Sequence, residues 1–204
     1  MIKTIIFDFG NVIGFFDHRR ITRRMTQETG VPEEFWQRHL LDAALEEAYE
    51  SGRISSDEFL RRVRGVIGLD VPDTLLTEAY CDIFWPNPDV CDLVARLKGR
   101  YRLLVGSNTS EMHAKKFRVQ FADTLGHFDS LVLSFEVGAR KPKRAFFQHC
   151  RERAQCEGYE CVFIDDLHRN VEGARACGLN GIVYRDFAEL VAELTELGVQ
   201  TQPT

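Results

Sequence analysis

The chain lacks the features that would mark it for a membrane, a nucleic acid or a disulfide framework. No stretch approaches the roughly 18 consecutive apolar residues that a membrane-spanning helix needs. The apolar opening Met1–Phe7 is cut short by Asp8, and no small-residue cleavage site follows, so no signal peptide and a cytoplasmic location are expected. Lysine and arginine number 26 against 31 acidic residues, a net charge of -5. That leaves no broad basic field for nucleic acid or an anionic membrane surface. Basic groups such as Arg23-Arg24 and Arg61-Arg62-Val63-Arg64 read as solvated helix faces. The six cysteines (Cys81, Cys91, Cys150, Cys156, Cys161 and Cys177) form no CxxC pair and no zinc-type spacing. With 204 residues, 44% of them hydrophobic, the chain can bury its own core, so reduced and largely buried thiols are expected. There is no internal repeat and no low-complexity tract.

What is present is alternation. Short apolar runs at Thr4–Phe7, Arg102–Val105, Ser130–Ser134, Cys161–Ile164 and Gly181–Tyr184 have the length and β-branched or aromatic character of buried strands. Between and after them, helical patterns cover Pro88–Lys98, Met112–Phe121, Arg144–Arg153 and Phe187–Leu197. Strands alternating with helices predict an α/β fold, a Rossmann-like doubly wound parallel sheet covered on both faces. Gly198 is placed to end the last helix, and the tail 199–204 is expected to fray. From Phe16 to Trp85 the alternation stops and helix follows helix: Ile21–Thr29, Glu33–Tyr49, Ser56–Val66 and Pro72–Ile83. Ser55 with Glu58 three residues later is a helix-start signal. The expected organisation is an α/β core of residues 1–15 and 86–204 with an inserted α-helical cap, 16–85. The linkers fall near Gly14–Asp17 and Trp85–Asp89.

In a doubly wound sheet, ligands bind beyond the carboxyl ends of the strands. The residues there are Asp8 to Val12, Gly106 to Thr109, Gly138 to Pro142, and Asp165-Asp166 with Asn170 a turn later. A carboxylate, a hydroxyl, a lysine and an acidic pair make a toolkit for phosphoryl transfer. A carboxylate can attack a phosphoryl dianion only with a cation between them. Clustered carboxylates form a hard oxygen site suited to Mg²⁺. A hydroxyl and a lysine can hold the phosphoryl oxygens as charge shifts.

These segments resemble a known family. Ile5-Ile-Phe-Asp-Phe-Gly-Asn-Val-Ile13, Leu103-Leu-Val-Gly-Ser-Asn-Thr109, Gly138-x-Arg-Lys-Pro142 and Phe163-Ile-Asp-Asp166 are similar, in order, to the four motifs of the haloacid dehalogenase superfamily. With Asn170-Val-Glu-Gly-Ala174 and Gly178 the resemblance spans nearly the whole chain. The insertion resembles the small helical cap of the bacterial sugar-phosphate phosphatases and of the N-terminal phosphatase domain of soluble epoxide hydrolase. The resemblance implies that Asp8 is the nucleophile and carries an aspartyl-phosphate. Ser107 and Lys141 would be catalytic partners, and Gly10, Asn11, Ser107, Asn108 and Lys141 would bind phosphate. Asp8, the Gly10 carbonyl, Asp165 and Asp166 would ligate Mg²⁺. The implied activity is phosphatase action on a small phosphorylated metabolite, with neither nucleic acid nor membrane as partner.

One position departs from the motif. The family's usual phosphatases have a second aspartate two residues after the nucleophile, which protonates the leaving oxygen and later activates water; here that position is Gly10. Losing such a group typically costs about 10²–10⁴-fold in rate. Three readings stand open: an enzyme favouring easily expelled groups such as anomeric or acyl phosphates, a substitute group among Asp17, His18 and His168, or a weak or silent protein that binds a ligand or partner. Dehalogenation needs no metal and fits poorly with Asp165-Asp166 beside the nucleophile. A signalling receiver would have its acidic pair after the first strand, not the last. Phe15, Phe16, Arg19, Arg20, Trp36, His39 and Trp85 are candidates to line a pocket under the cap.

Overall fold

The computed structural model describes residues 1–202, and its centre is strand β1 (Thr4–Phe7), buried along its whole length. β1 pairs in parallel with β4 (Arg102–Ser107) on one side and β6 (Cys161–Asp165) on the other. β5 (Ser130–Leu133) and β7 (Asn180–Val183) complete a five-stranded parallel sheet in the order β5-β4-β1-β6-β7. Side chains alternate between two apolar layers. Ile5, Phe7, Leu103, Val105, Val162 and Ile164 join one cluster; Ile6, Leu104 and Phe163 join the other. A strand buried on both faces has no polar side to show, which is why these segments read as unbroken apolar runs.

Helices α6 (Pro88–Leu97), α7 (Glu111–Gln120), α8 (Ala122–Leu125) and α12 (Phe187–Glu196) supply the first layer. α10 (Arg144–Ala154) and α11 (His168–Arg175) supply the second, with Phe146, Phe147, Cys150 and Ala174. A short turn of helix, α9 (Ser134–Val137), follows β5. Between β1 and β4 lies the helical insertion: α1 (Arg19–Thr29), α2 (Glu33–Leu40), α3 (Ala43–Glu50), α4 (Ser56–Ile67) and α5 (Asp73–Cys81). Its interior is aromatic, with Trp36, Tyr49, Phe59 and Tyr80 almost fully buried. No described helix is long and apolar enough to cross a membrane.

Four details correct the sequence reading. The single helix expected over Glu33–Tyr49 is two, because the Asp42 carboxylate accepts a hydrogen bond from the Leu45 amide (2.8 Å) and starts α3 as its N-cap. The linkers are strands: β2 (Gly14–Phe16) and β3 (Phe84–Pro86) pair antiparallel, Phe16 opposite Phe84. Three-residue strands joined only through a partner 70 residues away leave too little periodicity to read. Residues 199–202 of the tail are tied down rather than frayed. Val199 and Thr201 are buried, and the Gln200 amide donates to the Tyr101 hydroxyl at 2.8 Å; residues 203–204 lie outside the described residues. Finally, only Cys81, Cys150 and Cys161 are buried among the six free thiols. Ser55 caps α4 as expected, accepting from the Glu58 amide at 3.2 Å.

Candidate active site

The residues singled out by motif meet at the carboxyl ends of β1, β4 and β6. Asp8 follows β1, Ser107 closes β4, Asp165 closes β6 and Asp166 is the next residue. Lys141 arrives on the loop before α10, and its ammonium group is the hub. Nζ lies 2.7 Å from Asp8 Oδ1 and 2.7 Å from Asp165 Oδ2, and donates to the Gly106 carbonyl at 2.9 Å. The loop is held in place by Asn108, whose side chain accepts from the Lys141 amide (2.8 Å) and donates to the Lys141 carbonyl (3.1 Å).

The two acids of the pair are engaged differently. Asp165 is fully buried and saturated: besides Lys141 it accepts from the Leu167 amide (2.9 Å) and from Asn170 Nδ2 (2.9 and 3.1 Å). Asp166 is half-buried, and Asn11 Nδ2 donates to its Oδ2 at 3.0 Å. Asn11 sits at φ 57°, the left-handed turn that an asparagine tolerates, and this aims its amide across to β6. Asp8 Oδ1 also accepts from the Phe9 amide at 2.7 Å. Ser107 Oγ is buried and makes one long contact, 3.4 Å to the Asn108 carbonyl.

Asp8, Asp165 and Asp166 offer oxygens within 4.8 Å of one another. Three carboxylates against one ammonium leave two uncompensated negative charges, the deficit a divalent cation would fill. Burial pushes the Asp8 carboxyl up, against the pull of Lys141 and with the push of Asp165 and Asp166. Asp166 is raised by burial and by Asp165, opposed by Asn11. Burial pulls Lys141 down, but Asp8 and Asp165 outweigh it and leave the ammonium above its ordinary value. The donor set, all oxygen and net negative, suits a hard cation such as Mg²⁺.

A small cavity of about 70 Å³ opens beside Gly10, Ser107 and Asn108, and the insertion closes it with Phe16, His18, Glu50, Ile83 and Phe84. Of the seven proposed cap residues only Phe16 lines it. Trp36 is locked in the cap interior with its indole donating to the Val31 carbonyl, Arg19 pairs with Asp17, and Arg20 with Asp82. Phe15 and Trp85 pack on each other, and His39 lies against Phe35. Among the substitute acids, Asp17 is held low by Arg19, and His168 is exposed, 3.8 Å from Glu172. His18 does reach the cavity, and burial lowers it. Glu50 and His113, which also line it, had no motif or spacing to announce them.

An acidic residue at the tip of a central parallel strand, faced by lysine, serine and an acidic pair, is the arrangement of a doubly wound α/β protein with a strand-end site. The chain belongs to the haloacid dehalogenase-like hydrolases, whose family model matches residues 2–178. It is 24% identical to a sesquiterpene phosphatase of Aspergillus oryzae, over 96% of each chain. It is 23% identical to a D-ribitol-5-phosphate phosphatase of Bacteroides thetaiotaomicron, over 96% of this chain and 98% of that one. Its fold is similar to the crystal structure of a family enzyme from Bacteroides thetaiotaomicron in complex with magnesium and inorganic phosphate. The TM-score is 0.78 at 24% identity, covering 93% of this chain and 99% of the other.

Proposed function

We propose that the protein is a Mg²⁺-dependent phosphatase that hydrolyses a small organic phosphate monoester, a sugar phosphate being one candidate, through an aspartyl-phosphate on Asp8. The observation that supports it most is Lys141, whose one ammonium group touches both the nucleophile candidate Asp8 and Asp165 of the acidic pair. Residues 16–85 serve as the cap and residues 1–15 and 86–204 as the core.

Asp8, the Gly10 carbonyl and Asp166 would hold the Mg²⁺ directly. Asp165 belongs to the same cluster, but its oxygens are already committed to Lys141, Leu167 and Asn170, so it orients Lys141. A cation held there would supply charge neutralisation between the carboxylate and the phosphoryl group. Lys141 opposes the burial that pushes the Asp8 carboxyl up, favouring its carboxylate form, and meets the transferring group. Ser107 Oγ, with no strong partner of its own, donates to a phosphoryl oxygen, and the Asn108 and Thr109 backbone lies beside it. The Asp8 oxygen left free by Phe9 and Lys141 attacks phosphorus in line with the leaving oxygen. Water then attacks the same phosphorus and returns Asp8 as carboxylate. The cavity admits a phosphoryl group but little more, so the leaving group projects toward the insertion.

A phosphate-release screen over sugar phosphates, nucleotides and acyl phosphates with Mg²⁺, run beside Asp8→Asn, tests this reading. Release that vanishes in Asp8→Asn is expected. No release from any compound moves the protein to the silent, ligand-binding reading that Gly10 favours, and full activity in Asp8→Asn rejects the nucleophile.

A further inference from the structure

Gly10 provides no side chain to protonate the leaving oxygen, and no side chain could stand there as the site is built. A Cβ on Gly10 would lie 2.8 Å from Phe16 Cε1. Three ionisable groups line the cavity, Glu50, His18 and His113, and His113 is already engaged through Nε2 with the Tyr80 carbonyl and lowered by burial to about 3. We propose that Glu50, carried by the cap, is the acid–base residue of this chain, giving its proton to the leaving oxygen and then taking one from the attacking water. The proposal rests on the phosphatase reading above.

Three features favour Glu50. The first is placement. Asp8 attacks from the floor formed by β1, so an in-line leaving oxygen points away from the sheet, toward the insertion. Glu50, the last residue of α3, stands on that wall and shares the cavity with Gly10, Ser107 and Asn108. The second is rigidity. Glu50 Oε2 lies 2.7 Å from Arg140 Nη2. Arg140 neighbours Lys141, so one oxygen of Glu50 is pinned to the loop that grips the nucleophile while the other stays free. The third is chemical. Burial raises the Glu50 carboxyl even against Arg140 and Lys141, and one turn earlier Glu46 is pushed up to about 7 by burial and by Glu50 itself. A carboxyl in such a setting can be held protonated for the first step and serve as base in the second. His18 is lowered by burial, so it lacks a proton to give in neutral solution.

The steps balance. An Asp8 oxygen bonds to phosphorus while the ester P–O bond breaks, and the departing oxygen takes the electron pair and the proton of Glu50. A water oxygen then bonds to phosphorus, the P–O bond to Asp8 breaks, and Glu50 recovers a proton from that water. The sum is ester plus water giving alcohol plus phosphate.

The test compares the full chain with Glu50→Gln, which keeps a partner for Arg140, on p-nitrophenyl phosphate and on simple alkyl phosphates, with Mg²⁺. An expelled alkoxide needs an acid and nitrophenolate does not. In kcat/KM, Glu50→Gln is expected to lose about 10²–10⁴-fold on alkyl esters and little on the nitrophenyl ester. On the latter, one enzyme equivalent of nitrophenolate should be released in a burst as aspartyl-phosphate accumulates. Equal losses on both esters assign Glu50 a structural role and overturn the proposal. So does a leaving-group-dependent loss in His18→Gln with none in Glu50→Gln. Should Glu50→Gln fail to fold, Glu50→Asp, which retains the acid, must show the same selective but smaller loss. If wild-type chain gives no Asp8-dependent nitrophenolate at all, the phosphatase reading has failed first, and this proposal with it.

Discussion

The ring of Phe16 stands where a side chain on Gly10 would go, with Cε1 2.8 Å from the ideal Cβ position. The glycine and the phenylalanine are thus one feature: the strand that returns the chain toward the cap is packed into space that a second motif aspartate would need. Gly10→Asp is therefore expected to give no gain in turnover. It should destabilise the fold by about 1–3 kcal/mol, as overpacking does. Gly10→Asp combined with Phe16→Ala should recover part of that stability and raise activity toward alkyl phosphates. Chemical denaturation and kcat/KM on both variants check this.

Lys141 is buried between Asp8 and Asp165. Lys141→Met removes the one cation that two buried carboxylates share. Losing one partner of such a pair costs about 3–5 kcal/mol, and phosphate release should fall to background. Urea titration without divalent ions reads the first effect directly.

The same electrostatic deficit predicts strong coupling between metal and stability. At a Mg²⁺ concentration 100 times its Kd, binding to the folded state alone adds about 2.7 kcal/mol. For a chain of this size that is a rise of about 5–11 °C in Tm. Asp166→Asn should remove most of this rise. An equal rise in the variant would move Asp166 out of the metal shell.

Asn108 touches Lys141 only through the backbone, by paired hydrogen bonds of 2.8 and 3.1 Å. Asn108→Ala should leave Mg²⁺ binding nearly unchanged while kcat falls by about 10²-fold, because a displacement of about 1 Å in a reacting group costs that much. Steady-state kinetics beside a Mg²⁺ thermal-shift titration separate the two effects.

His113 packs flat against Tyr80 at 4.2 Å, with Nε2 2.9 Å from the Tyr80 carbonyl. Burial lowers it to about 3, whereas the unfolded chain binds its proton near pH 6.5. The unfolded state thus takes up more protons as the pH falls, and the stabilising contribution, whole above 6.5, is lost progressively between 6.5 and 3. At pH 5 the loss is about 2 kcal/mol. His113→Gln should flatten that part of the stability profile, seen as a smaller shift in denaturation midpoint between pH 7.5 and pH 5.

Much of this molecule is legible in the sequence because its strands are buried on both faces. Thr4–Phe7 and Cys161–Ile164 could be read almost to the residue, and a polar residue ending such a run has nowhere to go but the strand tip. Asp8, Ser107 and Asp166 therefore stood out as candidates, and Lys141, on the loop before α10, was added to them by its motif. The α2–α3 break was hidden because Asp42 fits a helical pattern until its carboxylate turns back on Leu45. The pocket residues of the cap were hidden for a different reason: Trp36 and Phe16 are both aromatic at helix-compatible spacing, yet one fills the cap interior and the other the cavity.

The sequence by itself determined the sheet, the helical insertion and the set of candidate residues at the strand ends, since apolar period and strand-end chemistry are local properties of the chain. Only the tertiary structure decided that β2 and β3 pair, that Phe16 closes the place beside Gly10, that Asp165 is spent on Lys141, Leu167 and Asn170 while Asp166 accepts from Asn11 alone, and that Glu50 shares the cavity with Gly10, Ser107 and Asn108. These depend on contacts between segments tens of residues apart, and the identity of a side chain does not encode which distant surface it will meet.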